Sequence, residues 1–227
     1  MTIAIGASVY TTGSYSGTTL TSAAQTTQAT GSTFVIGAYC YTASVTFTMS
    51  DSKSNAYSLL GSQQNNTSDG ISLAWYACVN GAGGSGHTFN IDCSVHTALF
   101  WYGIEIVGGG LTSGIVDQTY GNTGFLGNPT PGPVTTTQAN ELILSLFTNN
   151  GTAITITPGN SFGTLLSDAD SALMYRVVSS TGTYDPSVSF APSGGRTQII
   201  TASFQAAAGG PAQVPYMNYS LQPMLAM

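Results

Sequence analysis

Residues 71–95 read ISLAWYACVNGAGGSGHTFNIDCSV. In the first nine, Ile71, Leu73, Trp75, Ala77 and Val79 fall on every second position. After the glycine-rich stretch NGAGGSG (80–86), Phe89, Ile91, Cys93 and Val95 alternate with Thr88, Asn90, Asp92 and Ser94. A period of two is that of a strand with one face turned to a core, and a glycine-rich break between two such runs suggests a hairpin. With Val79 near His87, Cys78 would then lie opposite Thr88 and Cys93 opposite Leu73. The two cysteines would not be paired, since a disulfide needs Cα atoms within about 7 Å.

The same period runs outward in both directions. STFVIGAYCY (32–41) puts Phe34, Ile36, Ala38 and Cys40 on one face, and SVTFTMSD (44–51) alternates Val45, Phe47 and Met49 with Thr46 and Thr48. ELILSLF, TAITITP, ALMYRVV, SVSF and TQIITASFQA add further short runs, each bounded by Gly, Asn, Pro, Ser or Asp. No stretch carries a sustained 3.6-residue apolar stripe. The one short-helix candidate surrounds SDADSALM (167–174). The pattern predicts an all-β, antiparallel β-sandwich, a jelly roll or related Greek key. Its expected core includes Phe47, Leu73, Trp75, Phe89, Ile91, Leu144 and Phe190. In DSKSNAYSLLG (51–61), Asp51 and Asn55 flank a tight polar turn before Tyr57 and Leu59 resume a strand. LGNPTPGPVTTTQAN (126–140) is either a crossover within one sandwich or a linker between two smaller ones. The single sandwich, 1–208, is preferred, because neither half shows an obvious complete set of strands and no internal repeat is visible.

Composition narrows the function. The chain has 227 residues, of which 5% are charged, with Lys53, Arg176 and Arg196 the three cations and a net charge of −6. Thr, Ser and Gly number 32, 27 and 28, so the exterior must be solvated by hydroxyls and amides. Three cations cannot neutralise a phosphate backbone, which argues against nucleic acid, and an anionic membrane would repel the chain. The first ten residues, MTIAIGASVY, carry no basic segment and no long apolar run, so no signal peptide is expected and synthesis in a host cytoplasm is. Cys40, Cys78 and Cys93 are an odd set, read as buried free thiols.

Candidate chemistry is sparse. Cys93 and His96 are three apart on a strand and point to opposite faces, while Asp92 and His96 share a face but stand about 13 Å apart, so neither pair chelates one ion. Asp168 and Asp170 could contribute carboxylates to calcium, or cap a helical turn; no cofactor is assigned. Glu105 in GIEIVG and Glu141 at the start of ELILSLF could form a glycosidase pair, but strand-end acids are usually solvated, and no hydrolase, zinc-protease or phosphate-loop motif accompanies them. His87 is expected at a loop end. Tyr39, Tyr41, Trp75, Tyr76, Trp101 and Tyr102 divide between core and a face that could stack on a sugar or a subunit. Asn65-Asn66-Thr67 and Asn150-Gly151-Thr152 match the glycosylation sequon, to which an unsecreted chain gives little meaning.

The runs VTFTMSDSKSNAYSLLG (45–61), ISLAWYACVNGAGGSGHTFNI (71–91), ALFWYGIEIVGG (98–109) and VTTTQANELILSLF (134–147) together resemble β-sandwich domains of bacteriophage virion proteins and bacterial surface proteins. The likeness covers about residues 30–208 and transfers no catalytic or binding residue. It implies a non-enzymatic structural protein on a virion surface, a capsid decoration (cement) or head or collar fibre component. Its implied partners are other virion proteins and its own copies, trimers among them. The alternative is a carbohydrate-binding adhesin or tail-fibre domain that recognises a host glycan.

The end of the chain departs from that pattern. GGPAQVPYMNYSLQPMLAM (209–227) has no charge, three prolines, three methionines and two tyrosines. Proline pre-sets an extended backbone and lowers the entropy lost on docking. The expectation is an extended C-terminal arm whose Tyr216, Met217, Tyr219, Leu221, Met224 and Leu225 bind a partner.

Overall fold

The computed structural model describes residues 3–13, 19–67, 70–95, 98–107, 116–124, 132–150, 154–192 and 196–206; for 9–13 and 116–124 the description is of the backbone. The expected arm therefore lies outside the described residues, as does His96. The first half supplies β1 (Ala4–Gly13), β2 (Thr19–Thr21), β3 (Thr30–Cys40), β4 (Phe47–Asp51), β5 (Ser58–Asn66), β6 (Ile71–Ala82), β7 (Phe89–Cys93) and β8 (Leu99–Val107). The second supplies β9 (Val116–Gly124), β10 (Val134–Thr135), β11 (Glu141–Asn150), β12 (Thr155–Pro158), β13 (Gly163–Ser167), β14 (Ser171–Val178), β15 (Thr183–Tyr184), β16 (Val188–Ala191) and β17 (Arg196–Gln205). Among the described residues every element is a strand and every pairing between strands is antiparallel, so the all-β sandwich class holds.

Two five-stranded sheets form the middle of the molecule, in the orders β1-β8-β3-β6-β5 and β13-β14-β11-β17-β9. Smaller sheets lie outside them: β2-β7-β4 on the first, β12-β16 and β10-β15 on the second. Three apolar cores separate the layers. Val35, Tyr39, Leu73, Trp75 and Ile104 meet Leu142, Leu144, Leu146 and Phe204 between the large sheets. Phe34, Ile36, Cys40 and Trp101 face Phe47, Phe89 and Ile91 of the first outer sheet. Ile143, Phe147 and Met174 face Val188 and Phe190 of the second. Both large sheets are thus covered on both faces, which is why β3, β11 and β17 read as nearly continuous buried runs and only the outer strands alternate cleanly. All seven expected core residues are buried, each of the larger ones contributing about 1.5–3 kcal/mol by leaving water.

The strand order also reveals a repeat. Read from its far end, the second large sheet is β9-β17-β11-β14-β13, the same order as β1-β8-β3-β6-β5 once β1, β3, β5, β6 and β8 are matched to β9, β11, β13, β14 and β17. The outer pair β4–β7 matches β12–β16, with Asp51 opposite Phe89 in one and Pro158 opposite Val188 in the other. Even the next hydrogen bond repeats: Ser52 N donates to Thr88 O at 2.9 Å, and Gly159 N to Ser187 O at 2.9 Å. The two sheets stack in reversed order, with β5 against β9 and β6 against β17, the arrangement of an isologous dimer made within one chain. β3 and β11 meet at its centre, where a Cβ on Gly37 would stand 2.9 Å from Leu146 Cδ2.

Three local expectations are overturned. The glycine stretch after β6 is not a hairpin: β6 pairs with β3 and β5, while β7 pairs with β2 and β4 in another layer, so the stretch crosses between sheets. Cys78 consequently lies opposite Phe34 and Cys93 opposite Phe47. SDADSALM forms no helix; Asp168–Asp170 is the turn joining β13 to β14, closed by Asp168 N donating to Ser171 O at 2.9 Å. Local carboxylates suited to a helix cap serve equally well in a turn.

Candidate functional site

The densest group of ionisable and hydroxyl side chains surrounds Asp51, at the end of β4. Its Oδ1 accepts the backbone N–H groups of Lys53 (2.9 Å) and Asn55 (3.0 Å), the turn that the sequence predicts. Its Oδ2 accepts Asn55 Nδ2 (2.7 Å), Tyr57 OH (2.8 Å) and His87 Nε2 (3.0 Å). The other imidazole nitrogen, Nδ1, lies 3.0 Å from Thr27 Oγ1, which also accepts Gly84 N–H at 2.9 Å. The rings of Phe34 and Phe89 bracket the imidazole, with centroids at 4.7 and 4.3 Å. Asn55 clamps the far side of the crossover, donating to Ala82 O (2.8 Å) and accepting Ala82 N–H (2.9 Å). One carboxylate therefore ties together the turn after β4, the glycine crossover after β6 and the segment leading into β3. Close approach is essential at Gly83, where a Cβ would stand 2.1 Å from Gln28 O.

The electrostatics follow from this geometry. Burial alone would raise the Asp51 carboxyl, but the hydrogen bonds from Asn55, Tyr57 and His87 outweigh it and hold it below the ordinary aspartate range. Burial, and then the Asp51 charge, push the Tyr57 phenol up, so it stays a donor. Carboxylate, imidazole and hydroxyl stand in the order of a nucleophile relay. Yet Thr27 is only 6% exposed and its oxygen already holds Gly84 N–H, so in this conformation the hydroxyl is closed to an acyl carbon. The arrangement works as a clasp.

Contrary to the expectation of solvated acids, the two glutamates are 3% and 0% exposed. Glu105 accepts Ala7 N–H (3.0 Å), Gln28 N–H (2.7 Å) and Ser32 Oγ–H (2.6 Å). Glu141 accepts the N–H groups of Thr137 (3.0 Å) and Gln138 (2.8 Å). They lie on different sheets, and each fastens the segment that leads into the central strand of its own half. Asp170 accepts Tyr41 OH at 2.6 Å, and burial, reinforced by Asp168, raises its carboxyl. Among the described residues no group of three or more His, Cys, Asp or Glu could hold a metal ion.

The cysteines are free and buried, and burial together with the neighbouring Cys93 pushes the Cys40 thiol up to about 12. Tyr39, Trp75, Trp101 and Tyr102 are all core residues, and Tyr41 and Tyr76 are half-buried, so none of these six offers an open stacking face. The outward side of the first outer sheet instead carries Thr19, Thr21, Thr46, Thr48 and Ser50 around Asn90 and Asp92 of β7. Asp51, Asn55 and His87 are each conspicuous in the sequence, but no local signal brings His87 or Thr27 to the Asp51 turn. No protein-family model, curated protein or solved structure matches the chain.

Proposed function

We propose that this chain is a non-enzymatic structural protein of a bacteriophage virion surface, a capsid decoration or head or collar fibre component made in the host cytoplasm. The observation that carries the reading is the use of its reactive side chains. Asp51, His87, Glu105 and Glu141 all serve backbone amides and neighbouring side chains inside the fold. The exterior of the first outer sheet is mostly hydroxyls and amides around a single carboxylate, Asp92, which accepts Thr19 Oγ1–H, and such a face is suited to lying against other proteins with little charge to match. Its partners are other virion proteins and its own copies, reached in part through residues 209–227. Val214, Tyr216, Met217, Tyr219, Leu221, Met224 and Leu225 of that segment are too apolar to be left in water without cause.

Deleting residues 211–227 tests the reading. The shortened chain should fold normally, by circular dichroism and thermal melting, and fail to join the particle or oligomer that the full chain joins. Full incorporation of the shortened chain would remove the arm from the proposal. Glu105→Gln and Glu141→Gln chains should assemble as the parent does. A polysaccharide hydrolase activity lost specifically in either variant would replace the structural reading by an enzymatic one.

A further inference from the structure

Among the described residues the large sheets end in four edge strands, β1 and β5 on one and β13 and β9 on the other. A free edge offers unpaired N–H and C=O groups to any other strand, and proteins usually blunt it with charge, proline, a bulge or brevity. Charge is scarce here: across these four strands the one charged residue is Asp117, and there is no proline. Each of the four nevertheless has a break in register, and each time the surplus lies on the edge strand. On β1, Ile5 faces Ile106 and Ser8 faces Ile104, leaving Gly6 and Ala7 opposite Glu105. On β5, Leu60 faces Trp75 and Gln64 faces Leu73, leaving 61–63 opposite Ala74, with Gly61 at φ 66°. On β13 the surplus residue is Leu165, and on β9 it is Asp117. The inner pairings β3–β8, β11–β14 and β11–β17 run without a shift, and β3–β6 is irregular only where β3 begins. The small outer sheets need no such device, since their strands are two to five residues long.

The first of these bulges is held from inside. Ala7 N–H donates to Glu105 Oε2, and a Cβ on Gly6 would stand 2.5 Å from that oxygen. The Glu105 carboxylate, buried and without catalytic surroundings, thus receives the amide that the bulge turns inward. A bulge bends and twists its strand, so a straight partner cannot pair along the whole length.

We infer that the four bulges close the sheet edges of this nearly uncharged chain to strand addition, so that copies of it, and partner proteins, associate through faces, loops or terminal segments instead. The inference holds whether or not the chain belongs to a virion. It is tested by making an edge regular. Deleting Gly61 and Ser62 removes the two surplus residues of β5, an exposed strand. The full-length variant, checked for folding by circular dichroism, should self-associate in sedimentation velocity with a dissociation constant at least tenfold below that of the intact chain. Adding Gln64→Lys to the same variant should reverse this, because a lysine is the alternative edge guard. A folded deletion variant that sediments like the parent, or association that the lysine does not reverse, overturns the inference. Should that variant not fold, deletion of Leu165 from β13 is read in the same way. Failure of both to fold also overturns it, because the bulges would then belong to the folding of the sheets rather than to their edges.

Discussion

In both halves of the molecule an asparagine in the turn that leaves the outer sheet reaches the crossover that returns to it. Asn55 Nδ2 donates to Ala82 O at 2.8 Å, and Asn160 Nδ2 to Asp185 O at 2.7 Å. Around that common bond the halves use opposite charges. The first gathers its crossover on an anion, Asp51, through His87 and Thr27. At the matching position the second has Pro158, and gathers on a cation instead. Arg176 donates to Asn160 O at 2.7 Å while its guanidinium lies 4.8 Å from the ring centroid of Tyr184 and 6.0 Å from that of Phe162. The repeated strand order demands that turn and crossover be tied, and it leaves the chemistry of the tie free. An Asp–His–hydroxyl group with the outline of a reaction centre therefore has its counterpart in an arginine on two rings, which is good reason to read both as fastenings.

The largest effect should come from removing the anion. Asp51→Ala leaves His87, Tyr57, the Asn55 side chain and two backbone amides without this acceptor and should cost about 3–5 kcal/mol, or about 10 °C in Tm for a chain of this length. Pro158→Ala, at the matching place, should fall within about 1 kcal/mol. Equal losses in urea titrations of the two variants would erase the distinction between the halves.

Acid should remove the carboxylate's share of that effect. The folded Asp51 is held below its unfolded value, so its contribution is complete above about pH 4. It is lost as the pH falls through the lower folded value. The stability gap between the parent and Asp51→Asn should accordingly be constant from pH 8 to about 4 and shrink below it. A gap that closes already between pH 7 and 5 would mean that another group sets it.

The contact between the halves is probed at Gly37, where a Cβ would meet Trp75 Cζ3 at 2.5 Å and Leu146 Cδ2 at 2.9 Å. Gly37→Ala should cost about 1–3 kcal/mol by overpacking, measured by thermal melting. No loss would show that β3 and β11 stand further apart than described. The smallest effect belongs to the cation. Arg176→Ala should cost about 0.5–1 kcal/mol, as expected for a half-exposed cation over rings, and Arg176→Lys should recover only part of it, since the planar guanidinium is what stacks.

Much of the fold is written in period two. Phe47, Phe89 and Ile91 declare their faces because the outer sheets have one dry side and one wet side. Where a sheet is covered on both sides the signal fades, and β11 and β17 could have been core of any kind. The glycine stretch 80–86 misleads because glycine marks a change of direction and not a destination. The repeat is invisible in sequence because it lives in pairing order, which Asp51 and Pro158, or Phe89 and Val188, can share without any likeness of side chain. The clasp is half legible: Asp51 and Asn55 announce a turn, but the meeting with Thr27 and His87 is made by sheets that cross between layers.

The scarcity of charge bears on where such a protein can work. Three basic and nine acidic side chains make twelve charged groups in 227 residues, and the pair Asp51–His87 lies with both side chains 0% exposed. Dissolved salt weakens attractions between charges that it can surround, over about 8 Å at physiological ionic strength, and here it finds little to surround. Salt should therefore change the stability of the fold only slightly, and what it changes should come from the net charge of −6 and not from the buried Asp51–His87 pair.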